Sequence, residues 1–142
     1  MSHGIRALSE EDLPLLAGLE KQCFPGEEWT SKMLASHLEY HQAFVWEEEN
    51  VMSYALVCET PWEVEIFRIA TIPTYQRKGA ALRLLQSVLE KFATKDFFLE
   101  VKESNSAALS LYEKSGFSVL EKRKKYYPDG STAIIMLRKK EL

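Results

Sequence analysis

The chain predicts one α/β domain over residues 1–142, with a mixed, mostly antiparallel sheet in the order βααβββαβαββ. Three observations carry this. Residues 79–93 place Ala81, Leu85, Val88 and Phe92 on one helical face. That helix lies between strand-like runs at 63–71 and 97–101, and such a crossover is right-handed and makes the two strands parallel. The other strand candidates are joined by short polar turns, which makes hairpins. The composition suits a soluble globular protein, 46% hydrophobic and 27% charged. A net charge of −3 gives no electrostatic reason to expect direct nucleic-acid or membrane binding. No apolar run approaches the roughly 18 residues of a membrane span, and the first residues lack the apolar core of a signal peptide.

Taken in order, a strand at 4–8 precedes a helix at 13–23. Ser9 and Asp12 stand at capping-box spacing before it, and Pro14 falls in its first turn, where its missing N–H costs little. Thr30 is the expected N-cap of a helix at 31–40. Strands at 43–48 and 51–59 form a hairpin around Glu49 and Asn50. The strand at 63–71 alternates until Ile66–Phe67, where the phase breaks; a β-bulge and a fully buried central strand both produce that pattern. Residues 97–101 read as a short buried strand and 105–115 as a helix closed by Gly116. Strands at 117–122 and 132–138 flank a turn at Pro128, Asp129 and Gly130.

Chemistry concentrates in two motifs. Gln76-Arg77-Lys78-Gly79-Ala80-Ala81 lies between a strand and a helix. A helix N-terminus offers free N–H groups and partial positive charge, small residues permit close approach, and Arg77 and Lys78 add formal charge; the combination favours a phosphate or pyrophosphate. It is neither a Walker loop nor a dinucleotide fingerprint. The second motif runs from Phe97 to Phe117. Glu100 ends a parallel strand, where α/β sheets bind ligands. Asn105, Ala108, Leu109 and Tyr112 share a helix face, Asn105 and Tyr112 about 10.5 Å apart along the axis. Glu100 is a candidate general base and Tyr112 a candidate acid. Helix capping and packing are the competing readings of Asn105 and Tyr112.

QRKGAA resembles the Q/R-x-x-G-x-G/A acetyl-CoA loop of the GNAT N-acetyltransferases. LEVKESNSAALSLYEKSGF, FRIATIPTYQRKG and YYPDGSTAIIM are similar to segments of one branch, the bacterial ribosomal-protein-alanine N-acetyltransferases. The resemblance implies a GNAT-type domain in which the strands at 63–71 and 97–101 splay around acetyl-CoA. It implies that Ile69, Ala70 and Thr71 hold the pantetheine arm, that Gln76, Arg77, Lys78, Gly79, Ala80, Ala81 and Leu82 take the pyrophosphate, and that Asn105 bonds the pantetheine end. Glu100 would deprotonate the amine, Tyr112 would protonate the thiolate, and transfer would be direct, without Cys23 or Cys58. Trp29, Tyr126 and Tyr127 would shape the acceptor side, with Glu28 beside Trp29. The sequence departs from the pattern at Ala81, at Leu82 (where a basic residue is common, Arg83 following one place later) and at Thr132 (where an acidic one is).

The implied activity is acetyl transfer to a protein N-terminal α-amine, with the N-terminal alanine of a small-subunit ribosomal protein as the implied partner. An α-amine of pKa about 7.8 is roughly one-tenth neutral at pH 7, whereas lysine is almost wholly charged, so one carboxylate suffices as its base. The alternatives are a small-molecule amine or a lysine as acceptor, and a non-catalytic acyl-CoA-binding protein, against which the pair Glu100 and Tyr112 argues. A monomer or weak dimer in the cytoplasm, without a metal, is expected. Cys23 and Cys58 match no metal or redox spacing and read as buried reduced thiols. His3, His37 and His41 form no metal-like cluster. Glu47-Glu48-Glu49 reads as a solvated turn. Arg123-Lys124-Lys125 reads as a solvated strand face or a contact for an acidic partner or the ribosome.

Overall fold

Helix and strand propensities along the chain resolve into seven strands and four helices in a computed structural model, which describes residues 4–141. The elements are β1 (Gly4–Ala7), α1 (Leu13–Cys23), α2 (Ser31–Tyr40), β2 (Gln42–Glu47), β3 (Val51–Glu59), β4 (Glu63–Thr71), α3 (Ala80–Lys91), β5 (Asp96–Lys102), α4 (Ser106–Lys114), β6 (Ser118–Arg123) and β7 (Ala133–Arg138). The strands form one sheet in the order β1-β2-β3-β4-β5-β7-β6. Every neighbouring pair is antiparallel except β4 and β5, as the crossover through α3 requires.

Local signals set the element ends. Ser9 N–H donates to Asp12 Oδ2 at 2.9 Å, but this box closes a 3₁₀ turn at Glu10–Asp12 ahead of α1. Thr30 Oγ1 accepts from Met33 N–H at 3.1 Å and starts α2. Gly79 sits at φ 77°, outside α3, a conformation glycine adopts without a Cβ penalty. Gly116, at φ 92°, ends α4.

Each face of the sheet has its own core. On one side, Leu84, Leu85, Val88 and Leu89 of α3 and Tyr112 of α4 pack on Val64, Ile66, Phe97, Leu99 and Val101. On the other, Leu16 and Leu19 of α1 and Leu34 of α2 pack on Ala43, Val45, Tyr54 and Leu56. The buried face of α3 is thus Ala80, Leu84, Leu85, Val88 and Leu89, with Phe92 buried just past its end; of the face predicted by periodicity, Leu85, Val88 and Phe92 are buried and Ala81 alone turns out of it. β5 is not a fully buried strand: Phe97, Leu99 and Val101 are buried while Glu100 is exposed, because only the α3–α4 side is covered there.

A charged residue lies at the centre of the second core. Glu20 is fully buried and accepts from the Tyr54 hydroxyl and, at 2.8 Å, from Trp29 N–H, with Arg68 Nη1 at 3.6 Å. Arg68 stacks 3.9 Å above the Phe24 ring and donates to Glu27 O at 2.9 Å. A buried carboxylate is tolerated when it is paired and hydrogen-bonded in this way. The network fastens the segment between α1 and α2, and so Trp29, onto β3 and β4.

Two further expectations are corrected. Glu47 and Glu48 are engaged, Glu47 by Arg6 at 3.2 Å and Glu48 by Trp46 Nε1 at 3.0 Å and by Arg83. Cys23 and Cys58 are free but only half-buried. His3 lies outside the described residues, among which no group of three or more His, Cys, Asp or Glu side chains could hold a metal. No helix among them is long and apolar enough to cross a membrane.

Candidate active site

The break in alternation at Ile66–Phe67 is a β-bulge. Leu56 of β3 faces Arg68 and Val57 faces Ile66, so Phe67 is an extra residue on β4. The parallel ladder between β4 and β5 ends at the same place, running from Glu63↔Asp96 to Ile66↔Leu99. Beyond it, β4 stays paired with β3 as far as Thr71 and β5 with β7 as far as Lys102. Each strand is held on its outer side while the inner edges separate. The backbone of β4 past Phe67 therefore presents N–H and C=O groups with no strand partner on the β5 side.

On the α3–α4 side of this splay lies a cleft of about 560 Å³. Its walls are Ile69, Ala70 and Thr71 of β4, Gln76, Arg77, Gly79, Ala80, Ala81 and Leu82 of the loop and first turn of α3, and Asn105, Ala107, Ala108 and Leu111 of α4. Arg77 takes a left-handed φ of 65°, uncommon for a residue with a Cβ. The first intrahelical bond of α3 is Arg83 N–H to Gly79 O at 3.0 Å, so the N–H groups of Ala80, Ala81 and Leu82 have no helical acceptor. The cleft thus combines free donors, a positive helix end and small side chains, which suits a pyrophosphate on a long thin arm. Lys78 is not among its walls; its Nζ stands 6.0 Å from the Tyr75 ring. Arg83 does not replace the basic residue missing at Leu82. Its guanidinium turns to Lys78 O at 2.7 Å and Glu48 at 3.4 Å, stitching the loop to β2.

On the α1–α2 side a second cleft, of about 250 Å³, is lined by Trp29, Glu65, Ile66, Phe67 and Glu100. Glu65 and Phe67 point away from the core that Val64 and Ile66 enter, and Glu100 does the same on β5. Tyr127 Oη donates to Glu100 Oε2 at 2.9 Å. Burial and this bond push the Tyr127 phenol up. Burial, and then the negative charge of Glu100, push the Glu65 carboxyl up. Tyr127 is placed by the turn before β7, where Gly130 N–H bonds Tyr127 O at 2.8 Å and Ser131 holds the Asp129 carboxyl down at about 2. Tyr126 is more exposed and lies edge-on to Tyr127 at 5.3 Å.

Asn105 both caps α4, its Oδ1 accepting from Ala108 N–H at 3.2 Å, and lines the larger cleft. Tyr112 is only 6% exposed and packs on Phe117, ring centres 5.6 Å apart; burial pushes its phenol up. The structure therefore gathers ten of the eleven residues read as coenzyme-binding, Lys78 excepted, and brings Trp29, Glu100 and Tyr127 to one neighbourhood. Sequence reasoning missed Ala107 and Leu111, and it missed Glu65 and Phe67. Ala108 was on the predicted helix face without an assigned role. Glu65 and Phe67 could have been found by extending the alternation of β4 to the break.

The chain belongs to the acetyltransferase (GNAT) family, which residues 13–117 match. It is 35% identical to the [ribosomal protein bS18]-alanine N-acetyltransferase of Escherichia coli strain K12, over 93% of this chain and 94% of that protein. It is 33% identical to the N-alpha-acetyltransferase RimI of Mycobacterium tuberculosis, over 94% and 90%. Its fold superposes on the crystal structure of the ribosomal-protein-S18-alanine N-acetyltransferase from Escherichia coli with a TM-score of 0.90, at 31% identity, covering 99% and 96% of the two chains.

Proposed function

We propose that this protein transfers the acetyl group of acetyl-CoA directly to a protein N-terminal α-amine, with the alanine of ribosomal protein bS18 as the acceptor. The observation that carries the reading is the pair of clefts on opposite faces of the sheet, both beside the place where β4 and β5 part. One suits a coenzyme and the other an amine, so donor and acceptor approach from different sides and need no covalent enzyme intermediate. The relatives named for bS18-alanine acetylation, aligned over almost the whole chain, support the acceptor.

Acetyl-CoA supplies an activated acyl group on a thiol leaving group. The free N–H groups of Ala80 to Leu82 bind its pyrophosphate, aided by the charge of Arg77 and, at longer range, Lys78. The unpaired edge of β4, from Ile69 to Thr71, holds the pantetheine arm and polarises the acetyl carbonyl. Asn105 spends its side-chain oxygen on the helix cap, which leaves its NH₂ to donate to the arm. Glu100 takes the proton of the amine, and the Tyr127 hydroxyl orients the carboxylate that does so. The thiolate that Tyr112 would serve has an ordinary pKa of about 8.5, below even an unperturbed phenol near 10. Full proton transfer from it runs uphill, so a hydrogen bond to the developing thiolate is its larger contribution. Trp29 and Tyr126 flank the acceptor peptide. We place the protein in the cytoplasm with that acceptor, as a monomer or weak dimer.

Mass spectrometry of small-subunit ribosomal protein N-termini, with and without this protein in the cell, tests the acceptor. Acetylation of an alanine N-terminus that disappears with the protein is expected; unchanged N-termini would overturn the assignment.

A further inference from the structure

We propose that Glu65 is the residue that recognises the acceptor by its charge, holding the α-ammonium in the small cleft before Glu100 removes its proton. The inference rests on the acceptor reading above and adds to it a second carboxylate with a separate task.

Glu65 lies on β4 one residue before the last rung of the parallel ladder, and Glu100 lies on β5 one residue after it. Both point to the same side of the sheet and line the same cleft of about 250 Å³. Three other carboxylates near the sheet are paired, Glu20 with Arg68, Glu47 with Arg6 and Glu59 with Lys95. Among the described residues Glu65 makes neither a hydrogen bond nor an ion pair, and the charged groups acting on it, Glu100 and Glu63, share its sign. Glu100 has only the neutral Tyr127 hydroxyl. Like charges held together without a counter-charge raise the free energy of the empty cleft, and a cationic ligand relieves both. The rest of the wall independently favours a cation. Trp29 and Phe67 stand together, ring centres 6.2 Å apart, and aromatic faces attract ammonium groups.

The chemistry needs such a residue. At neutral pH an α-amine is mostly protonated, so the abundant form of the acceptor is the cation. Glu65 and Glu100 capture that cation together. One N–H bond then breaks and its proton goes to Glu100; the freed lone pair forms the C–N bond as the C–S bond breaks and its electron pair leaves on sulfur, and the second N–H proton, shed as the neutral amide forms, ends on that sulfur to give the coenzyme A thiol. Glu65 stays ionised throughout and keeps the nitrogen in place. It is a positioning residue, and its effect falls on capture of the acceptor more than on turnover.

The test uses the full chain saturated with coenzyme A. An alanine-first peptide and its analogue with the amine replaced by hydrogen are titrated against wild type, Glu65→Gln and Glu65→Asp. Wild type is expected to prefer the amine by about tenfold, the size of a charge-assisted hydrogen bond. Glu65→Gln should lose that preference with coenzyme A affinity unchanged, raise the peptide KM about tenfold and alter kcat less; Glu65→Asp should restore part of it. An active Glu65→Gln enzyme with the wild-type preference and KM would overturn the role of Glu65 and leave the acceptor reading intact. A wild type that acetylates no peptide N-terminus overturns both.

Discussion

Glu100 and Glu20 show how one residue type does opposite work in two settings. Glu100 is exposed at a strand end and holds one hydrogen bond, so its carboxylate is available to a proton. Replacing it by Gln keeps the shape and removes the proposed base. Turnover on an N-terminal peptide is expected to fall by about 10² to 10⁴, the usual worth of a general base, while calorimetry shows acetyl-CoA binding unchanged. Glu20 is fully buried and spends its oxygens on Tyr54, Trp29 and Arg68. Glu20→Ala leaves a buried guanidinium and a backbone N–H without their partner, so a loss of about 3 kcal/mol in urea unfolding is expected. Because Trp29 N–H is one of those partners, the peptide KM should rise as well. A Glu20→Ala protein as stable as wild type would mean the network carries little of the fold.

At the scale of elements, the loop before α3 and the bulge in β4 set the site. Gly79→Ala forces a side chain into φ 77° with its Cβ 3.1 Å from Arg83 Nη1. The arginine tip can move, so the backbone conformation supplies most of the cost, about 1 to 2 kcal/mol, and coenzyme affinity falls with it. Gly18→Ala, inside α1 with nothing within 4 Å, is the control; it should stabilise by up to about 1 kcal/mol and leave coenzyme affinity alone. Thermal melts and coenzyme titration of the two variants separate the loop from the helix. Much of this level was legible in the sequence, because caps and periods are local: Thr30, Gly79, Asn105 and Gly116 each marked an end, and the break at Ile66–Phe67 marked either a bulge or a fully buried strand, of which the structure has the bulge. What was not legible was relational. On α3 only Ala81 was misplaced, because it lines the cleft beside Leu82 while Leu84 and Leu89 enter the core. Glu65 was passed over because its meaning comes from Glu100, thirty-five positions later, across a strand pair whose ladder stops between them. The use of Glu47 and Glu48 likewise depends on Arg6 and Arg83, which no local pattern couples to them.

Over the whole molecule, the sheet is the proposed partition between donor and acceptor, and two groups on its α1–α2 side give stability opposite dependences on pH. His37 is 3% exposed, with Nε2–H donating to Gln42 O at 2.8 Å, and burial holds its pKa below the ordinary 6.5. The folded chain keeps it neutral while the unfolded chain takes up a proton near 6.5. Its share of stability is therefore intact above that value and is lost as pH falls below it through the folded pKa. The melting temperature should drop between about pH 7.5 and about pH 5.5, and drop less in His37→Gln, which retains a donor. Glu65 works in the other direction. Its folded pKa lies above the ordinary 4.5, so its ionised form disfavours the fold at neutral pH, and the penalty disappears as pH falls through the folded pKa towards 4.5. Glu65→Gln should melt no lower than wild type at neutral pH, a site whose charge serves the acceptor rather than the fold.

The central claim is direct transfer to a protein N-terminal α-amine by Glu100 at the splay of β4 and β5. Acetyl transfer from acetyl-CoA to a panel of short peptides differing only in the first residue, alanine-first included and a lysine-bearing peptide with a blocked N-terminus beside it, measures this most directly. Acetylation at the N-terminus of the alanine-first peptide is expected, lost in Glu100→Gln, with the blocked peptide untouched. Acetylation of the lysine alone, or equal rates with Glu100→Gln, would contradict it.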